Sequence, residues 1–201
     1  MSGTRNYVMK KRAEAQDATR LKIIEAAMHL HEELGPRATT ISAIAERAGV
    51  QRLTVYRHFA DEFAVFQACT SHWQSLNPPP DPASWQDIAD PMARAEAATN
   101  ALYDYYGRTR RMWSQSYRDV DEVPALKQPM ASVAAYIEQV ADDLTAAFKL
   151  RGASRDRVAA TLAHAIHFPT WDHLETLGIG QAKKVALVLS WVRGALEAGG
   201  T

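Results

Sequence analysis

Apolar residues recur three and four positions apart in almost every segment of this chain, and glycines and prolines interrupt the pattern at intervals. That spacing places apolar side chains on one face of an α-helix, whereas a half-buried strand requires strict alternation. No alternating run is long enough for a strand, and the sequence has no internal repeat. The pattern therefore predicts an all-α fold.

Helix-breaking residues predict where the first helices end. Gly35 and Pro36 end a helix whose apolar stripe begins at Leu21, and Gly49 ends a second, short helix. Residues 77–82 read Asn-Pro-Pro-Pro-Asp-Pro and cannot be helical inside. We therefore expect a small group of N-terminal helices, followed by longer ones.

Composition and charge narrow the protein class. Hydrophobic residues make up 47% of the 201 residues, which is typical of a globular protein. The 23 basic and 23 acidic residues cancel, but residues 1–22 carry a net charge of +4. Such a basic end is either an arm that contacts nucleic acid or a solvated tail. We interpret residues 1–17 as a flexible basic arm.

The cellular compartment follows from what the sequence lacks. Cys69 is a single cysteine, so no internal disulfide is possible and a reducing compartment is expected. The N-terminus has no apolar core of a secretory signal, and no apolar stretch approaches the ~20 residues that span a bilayer. These features predict a cytoplasmic protein with no membrane partner.

Residues 40–62 carry the strongest functional signal. Ala45, Gly49 and Val55 have the relative spacing that a helix-turn-helix requires. A small residue at 45 allows two helices to cross closely, Gly49 permits the backbone of the turn, and Val55 packs the second helix onto the first. The alternative is an ordinary helical hairpin with a solvated polar face.

Helical geometry assigns the faces of the second helix of this motif. If Val55 points inward, then Phe59 does too, whereas Leu53 and Arg57 fall about 160° away and face outward. Arginine suits guanine and glutamine suits adenine in a major groove. The predicted DNA-contacting residues are Thr40, Gln51, Arg52, Leu53, Thr54, Tyr56, Arg57 and His58.

Residues 21–66 resemble the DNA-binding domain of TetR-type (tetracycline-repressor-like) transcriptional regulators. The family runs Gly-Val-Ser-Lys-Gly-Thr-Leu-Tyr-Tyr-His-Phe, and residues 49–59 here read Gly-Val-Gln-Arg-Leu-Thr-Val-Tyr-Arg-His-Phe. The resemblance implies that Thr54, Tyr56 and His58 contact DNA, mostly at phosphates. It also implies a DNA-binding domain over 18–62 and a larger helical domain for ligand binding and dimerisation over 63–201.

Four departures from the family pattern bear on DNA recognition. Gln51 replaces a serine N-cap, Leu53 replaces a glycine, Arg57 replaces an aromatic residue, and Glu62 stands where a phosphate-binding lysine is frequent. These changes alter which DNA sequence is read and how tightly, but they leave the motif in place.

The C-terminal helices have the pattern expected of a dimer interface. The helix predicted over 181–197 carries two apolar stripes, one through Val188 and one through Trp191, so two of its sides must be buried. The resemblance favours a homodimer through helices 154–177 and 181–197, bound to an inverted repeat in double-stranded DNA. A monomer with a fully buried helix is the alternative.

Aromatic and polar residues concentrate along 103–120 and 164–171, where the resemblance implies a cavity for a partly apolar or aromatic effector. Pro169 predicts a helix kink there that leaves the carbonyl of Ala165 free. Plain core packing is the alternative for these residues. The predicted pocket consists of Tyr103, Tyr106, Met112, Trp113, Tyr117, His164, His167, Phe168 and Trp171.

Other functions have weaker support. His164 and His167, with Asp172 and His173 nearby, lack the second strong ligand pair of a metal site. No phosphate-binding glycine loop or nucleophile elbow is present, so we predict no catalytic residue, no metal and no cofactor. The predicted function is that of a ligand-responsive repressor, released from a palindromic operator by a small molecule. A helical enzyme, a metal-binding protein and a ligand-blind DNA-binding adaptor are the alternatives.

Overall fold

The computed structural model describes residues 2–198, with the side chains of Tyr7 and of residues 9–198. In this range the chain forms nine α-helices and no strand, which confirms the all-α prediction. The helices are α1 (Ser2–Leu34), α2 (Ile41–Ala48), α3 (Arg52–His58), α4 (Glu62–Leu76), α5 (Pro91–Asp119), α6 (Lys127–Ala147), α7 (Gly152–Ala165), α8 (Phe168–Thr176) and α9 (Gln181–Glu197).

These helices form two compact units that alternate along the sequence. The first unit comprises Met1–Pro78 and Ser114–Pro129, and the second comprises Pro79–Trp113 and Met130–Thr201. Helix α5 contributes residues to both. The first boundary between the compact units lies after Pro78, whereas the predicted domain boundary lies after residue 62. The division of functions along the chain remains a prediction.

The first unit is built on α1, which packs against α2 and α4, while α2 packs against α3. Ile23 of α1, Ile44 of α2 and Val65 of α4 are buried in its core. Helix α1 ends at Leu34, where Gly35 adopts a φ of 89°, as the predicted stop requires.

The start of α1 differs from the prediction. The helix begins at Ser2, so the segment predicted as a flexible arm is helical throughout its described part, and Met1 and the Arg5 side chain lie outside that part. No proline interrupts residues 2–34, and Lys10 pairs with Glu14 one turn later at 4.0 Å. Such i,i+4 pairs stabilise exposed helices. The absence of a helix breaker, rather than the charge, decides the conformation.

The second unit has its own core, in which α7 packs against α9. Leu102, Leu144, Leu162 and Val188 are fully buried there, each from a different helix. The bounds of α9 are those predicted.

The helix predicted over 154–177 is divided into α7 and α8. Pro169 lies in the first turn of α8, where a missing N–H costs nothing, so the proline follows a complete break rather than a kink. The backbone between the two helices is extended at His167, with a ψ of 140°. The predicted interruption near Pro169 is confirmed, but the predicted kink within one helix is wrong, because two separate helices are present.

Candidate nucleic-acid interface and aromatic cluster

The turn between α2 and α3 is defined at both ends of α2. Thr40 is the N-cap, and its hydroxyl accepts a hydrogen bond from the backbone N–H of Ala43 at 3.2 Å. Gly49 ends the helix in the left-handed region with a φ of 67° and a ψ of 34°. The space around Gly49 is open, so the backbone angle and not crowding favours glycine here.

The two faces of α3 are those predicted. Val55 is fully buried and Phe59 is 4% exposed, so both contribute to the core of the first unit. Leu53 is 60% exposed and Tyr56 is 38% exposed, and Arg57 is exposed as well. The short helix therefore presents a continuous polar and aromatic surface to the outside.

The first turn of α3 carries the side chains suited to base recognition. Gln51 occupies the N-cap position, but its amide makes no capping bond, so it can pair with a base. Arg52 is exposed and donates from Nη2 to the hydroxyl of Tyr56 at 3.4 Å. The exposed positions fit the predicted contacts, while the roles of individual residues in DNA binding remain predictions.

A groove beside α3 includes residues that the sequence analysis did not select. Arg12, Gln16 and Thr19 of α1 line it together with Thr54 and Arg57 of α3, and its volume is about 520 Å³. The spacing of four and three residues places the α1 side chains on one helical face. That spacing was visible in the sequence, but the assumption of a flexible arm concealed it.

A hydrogen-bonded cluster joins the end of α1 to the end of α5 within the first unit. The carboxylate of Asp119 is 1% exposed, and it accepts from the backbone N–H of Arg37 at 3.0 Å and from Nε of Arg118 at 2.8 Å. Arg118 also donates to the carbonyl of Leu34 at 2.8 Å. We call Arg37, Arg118 and Asp119 the α1–α5 clasp.

The clasp depends on Gly35. A Cβ at this residue would collide with the Arg118 guanidinium and with the carboxylate of Asp119. Burial alone would raise the pKa of Asp119, but the hydrogen bonds from Arg118 and from the Arg37 backbone outweigh burial and lower it. Asp119 is therefore ionised at neutral pH. No periodic pattern indicates this residue, because the Arg37 backbone N–H that it binds lies 82 positions away in the sequence.

In the second unit, several of the predicted pocket residues form one aromatic cluster. Tyr106 meets Phe168 edge-on with ring centroids 5.4 Å apart, and Trp171 lies 5.9 Å from Tyr106 and 5.7 Å from Phe168. The Trp113 ring lies 6.3 Å from that of Phe168. These distances are typical of packed aromatic pairs. We call Tyr103, Tyr106, Trp113, Phe168 and Trp171 the aromatic cluster.

The break between α7 and α8 is stabilised by tyrosines of this cluster. The hydroxyl of Tyr103 donates to the carbonyl of Ala165 at 2.6 Å, and that of Tyr106 donates to the carbonyl of Ile166 at 2.9 Å. The end of α7 leaves these carbonyls without helical partners. The predicted release of the Ala165 carbonyl is thus confirmed, and the carbonyl is bonded within the protein.

Three other predicted pocket residues differ from one another in burial and in surroundings. His164 is exposed, with its ring 6.4 Å from that of Trp191. His167 is half-buried, and burial together with the nearby His164 lowers its pKa. Tyr117 belongs to the first unit, and burial raises its pKa to about 12. The fourth, Met112 of α5, is buried, with 9% of its surface exposed.

Among residues 2–198, as far as their side chains are described, no three His, Cys, Asp or Glu side chains are grouped as metal ligands. None of the described helices combines the length and the apolar character that a membrane crossing requires.

Comparison with known proteins decides the family of the helix-turn-helix. Residues 23–69 match the family model described as bacterial regulatory proteins, tetR family. The chain carries a tetR-family DNA-binding domain. The match covers α2 and α3 completely, with most of the buried part of α1 and the first half of α4. The tetR family is one of regulators rather than enzymes.

Curated proteins that are similar to this chain are regulators. The chain is 32% identical over 113 residues to the probable HTH-type transcriptional regulator ArpR of Pseudomonas putida. It is 31% identical over 113 residues to the HTH-type transcriptional regulator TtgR of the same species. Each alignment covers 56% of this chain and 47% of the relative, so the chain spans about half the length of the curated relatives it matches.

The fold outside the tetR-family domain is also shared with a solved regulator. NalD, the secondary repressor of the MexAB-OprM multidrug efflux pump in Pseudomonas aeruginosa, aligns with a TM-score of 0.64. The alignment covers 90% of this chain and 96% of that one at 18% identity. At this identity the likeness concerns the fold alone.

Proposed function

We propose that this chain is a sequence-specific transcriptional repressor that acts in the cytoplasm as a homodimer. It binds an inverted repeat in double-stranded DNA through α3 of each protomer. A small molecule bound in the second unit stabilises a state with weaker affinity for the operator. The ligand releases the protein from the operator because it binds this state more tightly than the DNA-binding state.

The observation that carries this proposal is the opposite burial of neighbouring residues in α3. Val55 fixes the helix to the core, while Arg52, Tyr56 and Arg57 stay exposed on the other side. A helix of seven residues held in this way, after a left-handed glycine turn, has the geometry of a recognition helix. The tetR-family match over these residues supports the same role.

The outer surfaces of α7 and α9 support a dimer interface in the second unit. Val188 and Val192 of α9 are fully buried within the protomer, whereas Leu187 and Trp191 on another side are only partly buried. Trp191 lies beside the exposed His164 of α7. A second protomer packed on this face would bury the second apolar stripe, and two-fold symmetry suits a palindromic operator.

The aromatic cluster supports a site for a partly apolar or aromatic effector. Trp171 is 2% exposed, and its indole N–H has no hydrogen-bond partner in the described part of the chain. Arg110 lies 5.9 Å and Lys184 lies 5.0 Å from the Trp171 ring centroid, so cations flank it. An effector that separates these rings and accepts from the indole would favour the ligand-bound state.

Selection from a random duplex library tests the DNA-binding proposal. We expect the intact chain to enrich an inverted repeat and to bind it as a dimer, with affinity that falls steeply as salt increases. Arg57→Ala should weaken binding about fivefold to a hundredfold. Arg108→Ala removes the same charge from an exposed site in the second unit and serves as the control. Enrichment of no sequence would overturn the proposal.

A further inference from the structure

The first unit contains a cavity of about 320 Å³ that the proposed function does not use. Its walls come from five parts of the unit: His31 of α1, Pro36 and Thr39 between α1 and α2, Ile44 of α2, the first turns of α4, and residues 123–125 between α5 and α6. We call it the His31 cavity. Its volume lies at the lower end of the range for small-molecule sites, which suits one or two aromatic rings.

The walls of the His31 cavity are largely apolar and aromatic. Phe63 is 50% exposed although it is an apolar residue in the first turn of α4. Phe66 lies one turn further, with its ring centroid 5.5 Å from that of His31. A flat apolar molecule would cover the exposed part of Phe63 and remove it from water. Glu62 also lines the cavity, and its carboxylate disfavours an anionic occupant.

His31 supplies a directional polar group in this apolar wall. The residue is 6% exposed, and its Nδ1 lies 3.4 Å from Sγ of Cys69. The other ring nitrogen, Nε2, has no hydrogen-bond partner in the described chain. His31 lines the cavity, so a ligand or a water molecule there can form a hydrogen bond with this nitrogen.

The protonation states indicate what Nε2 can bind. Burial lowers the pKa of His31 to about 4 and raises that of Cys69 to about 12, so the ring is neutral and the thiol keeps its proton at pH 7. Sulfur is a weak acceptor and an imidazole nitrogen a good one, so the thiol donates to Nδ1. The hydrogen of the neutral ring then resides on Nε2, which becomes a donor to an oxygen atom in the cavity.

We propose that the His31 cavity binds a neutral aromatic molecule of one or two rings that carries a hydroxyl or carbonyl oxygen. The rings lie against Phe63 and Phe66, and the oxygen accepts from Nε2 of His31. This site is separate from the effector site proposed in the second unit. Its occupation does not depend on DNA binding, so its test can succeed or fail independently of the proposed function.

Three matched probes test the chemistry of the site in titrations with the intact chain at pH 7, without DNA. 1-Naphthol should bind saturably with one molecule per chain. Naphthalene lacks the oxygen and should bind about two- to tenfold more weakly, the worth of one neutral hydrogen bond. 1-Naphthoate should bind at least as weakly as naphthalene, because Glu62 repels its charge. Equal binding of naphthoate and naphthol would overturn the proposed ligand class.

Two variants locate the binding. His31→Phe should abolish the preference for naphthol over naphthalene, and Ala125→Phe should fill the cavity and remove binding of both. Ala89→Phe changes an exposed alanine in the second unit and should leave the affinity unchanged. Thermal melts establish that each variant folds. If naphthol binds both folded cavity variants as tightly as the original chain, the His31 cavity is not the site and the proposal is wrong.

Discussion

The guanidinium of Arg52 lies over the ring of Tyr56, 5.7 Å from its centroid, and donates to its hydroxyl at 3.4 Å. The two residues are four positions apart on the exposed side of α3 and are neighbours on one helical face. Each side chain restricts the conformations of the other. The two proposed DNA contacts should therefore depend on each other.

Substitution of this pair should separate base recognition from phosphate contact. If Arg52 reads a guanine, Arg52→Ala should cost about 1–3 kcal/mol and relax the choice of base at one position of each half-site. Tyr56→Phe removes only the hydroxyl, a proposed phosphate contact, so most of the loss in affinity should be the same for all sequences, with a smaller effect through Arg52. Binding to a library of operator variants measures both effects.

The double variant reports the coupling within the pair. Because Tyr56→Phe also removes the acceptor that positions Arg52, the effects of the two changes should not add. Additive losses would show that the two side chains act independently on DNA. Equal losses across the library for both single variants would make Arg52 a backbone contact.

The N-cap of α2 should contribute measurably to stability. Thr40→Ala removes the acceptor for the Ala43 N–H and should lower the free energy of unfolding by about 1 kcal/mol. Thr40→Ser keeps the hydroxyl and should retain most of that stability. Urea denaturation of the three proteins checks this. A Thr40→Ala protein as stable as the original would mean that water replaces the cap without cost.

The α1–α5 clasp should give the protein an acid-sensitive component of stability. Asp119→Asn removes a buried charge bonded to Arg118 and Arg37, and should cost about 1–3 kcal/mol at pH 7. Since folding lowers the pKa of Asp119, the stabilisation is present above the unfolded value of about 4 and is lost as pH falls further. Unfolding free energies should therefore converge for the two proteins in acid, and a constant difference would contradict the assignment.

His31 should produce a second pH dependence, at higher pH. Its pKa falls from 6.5 to about 4 on burial, against the opposing charge of Asp119, so the unfolded chain takes up the proton first. The contribution of neutral His31 to the free energy of unfolding should be fully present above about pH 6.5. The free energy of unfolding should then decrease by about 3 kcal/mol as the pH falls to 4. The titratable groups near His31 are Asp119, Cys69 and Glu62.

Replacement of His31 isolates this contribution. His31→Phe should flatten the stability profile between pH 6.5 and 4, as measured by urea denaturation at several pH values. His29→Phe removes an exposed imidazole from the same helix and is the matched control. An unchanged profile in His31→Phe would mean that another group titrates in this window.

Substitution of Trp113 tests whether this residue of the aromatic cluster belongs to the protein core or to an effector site. It is 7% exposed and packs against Tyr105 and Phe168, so Trp113→Ala should cost about 3–5 kcal/mol and lower the melting temperature. Trp113→Phe keeps a ring and should cost less. Thermal melts and operator binding are measured side by side. A Trp113→Ala protein that melts normally, binds its operator and ignores the effector would assign the residue to sensing instead.

Local patterns predicted most of the first unit correctly. The helix ends at Gly35 and Gly49 and the buried position of Val55 depend on the local backbone and on helical spacing, so they follow from the sequence. The limits of α9 followed from Gly180 and from the apolar stripes in the same way. These are interactions within about ten residues, where helical geometry determines which side chains meet.

The clasp and the aromatic cluster could not be predicted to the same extent. Asp119 gains its role only when the turn at Gly35 approaches it, and no periodic pattern records such an approach. Five of the predicted aromatic residues lie together, but periodicity does not distinguish a packed cluster from the wall of a pocket, so the pocket remains a prediction. The break before Phe168 depends on Tyr103 and Tyr106, which bind the exposed carbonyls from a distant helix.

Gly35 makes the backbone amide of Arg37 a reporter of events at the far end of α5. Because no side chain intervenes, the carboxylate of Asp119 covers this amide directly and shields its proton from solvent. Hydrogen exchange at Arg37 should be slow while the end of α5 is docked, and it should accelerate whenever that end separates from α1. A single amide resonance would thus record how frequently the end of α5 separates from the turn after α1.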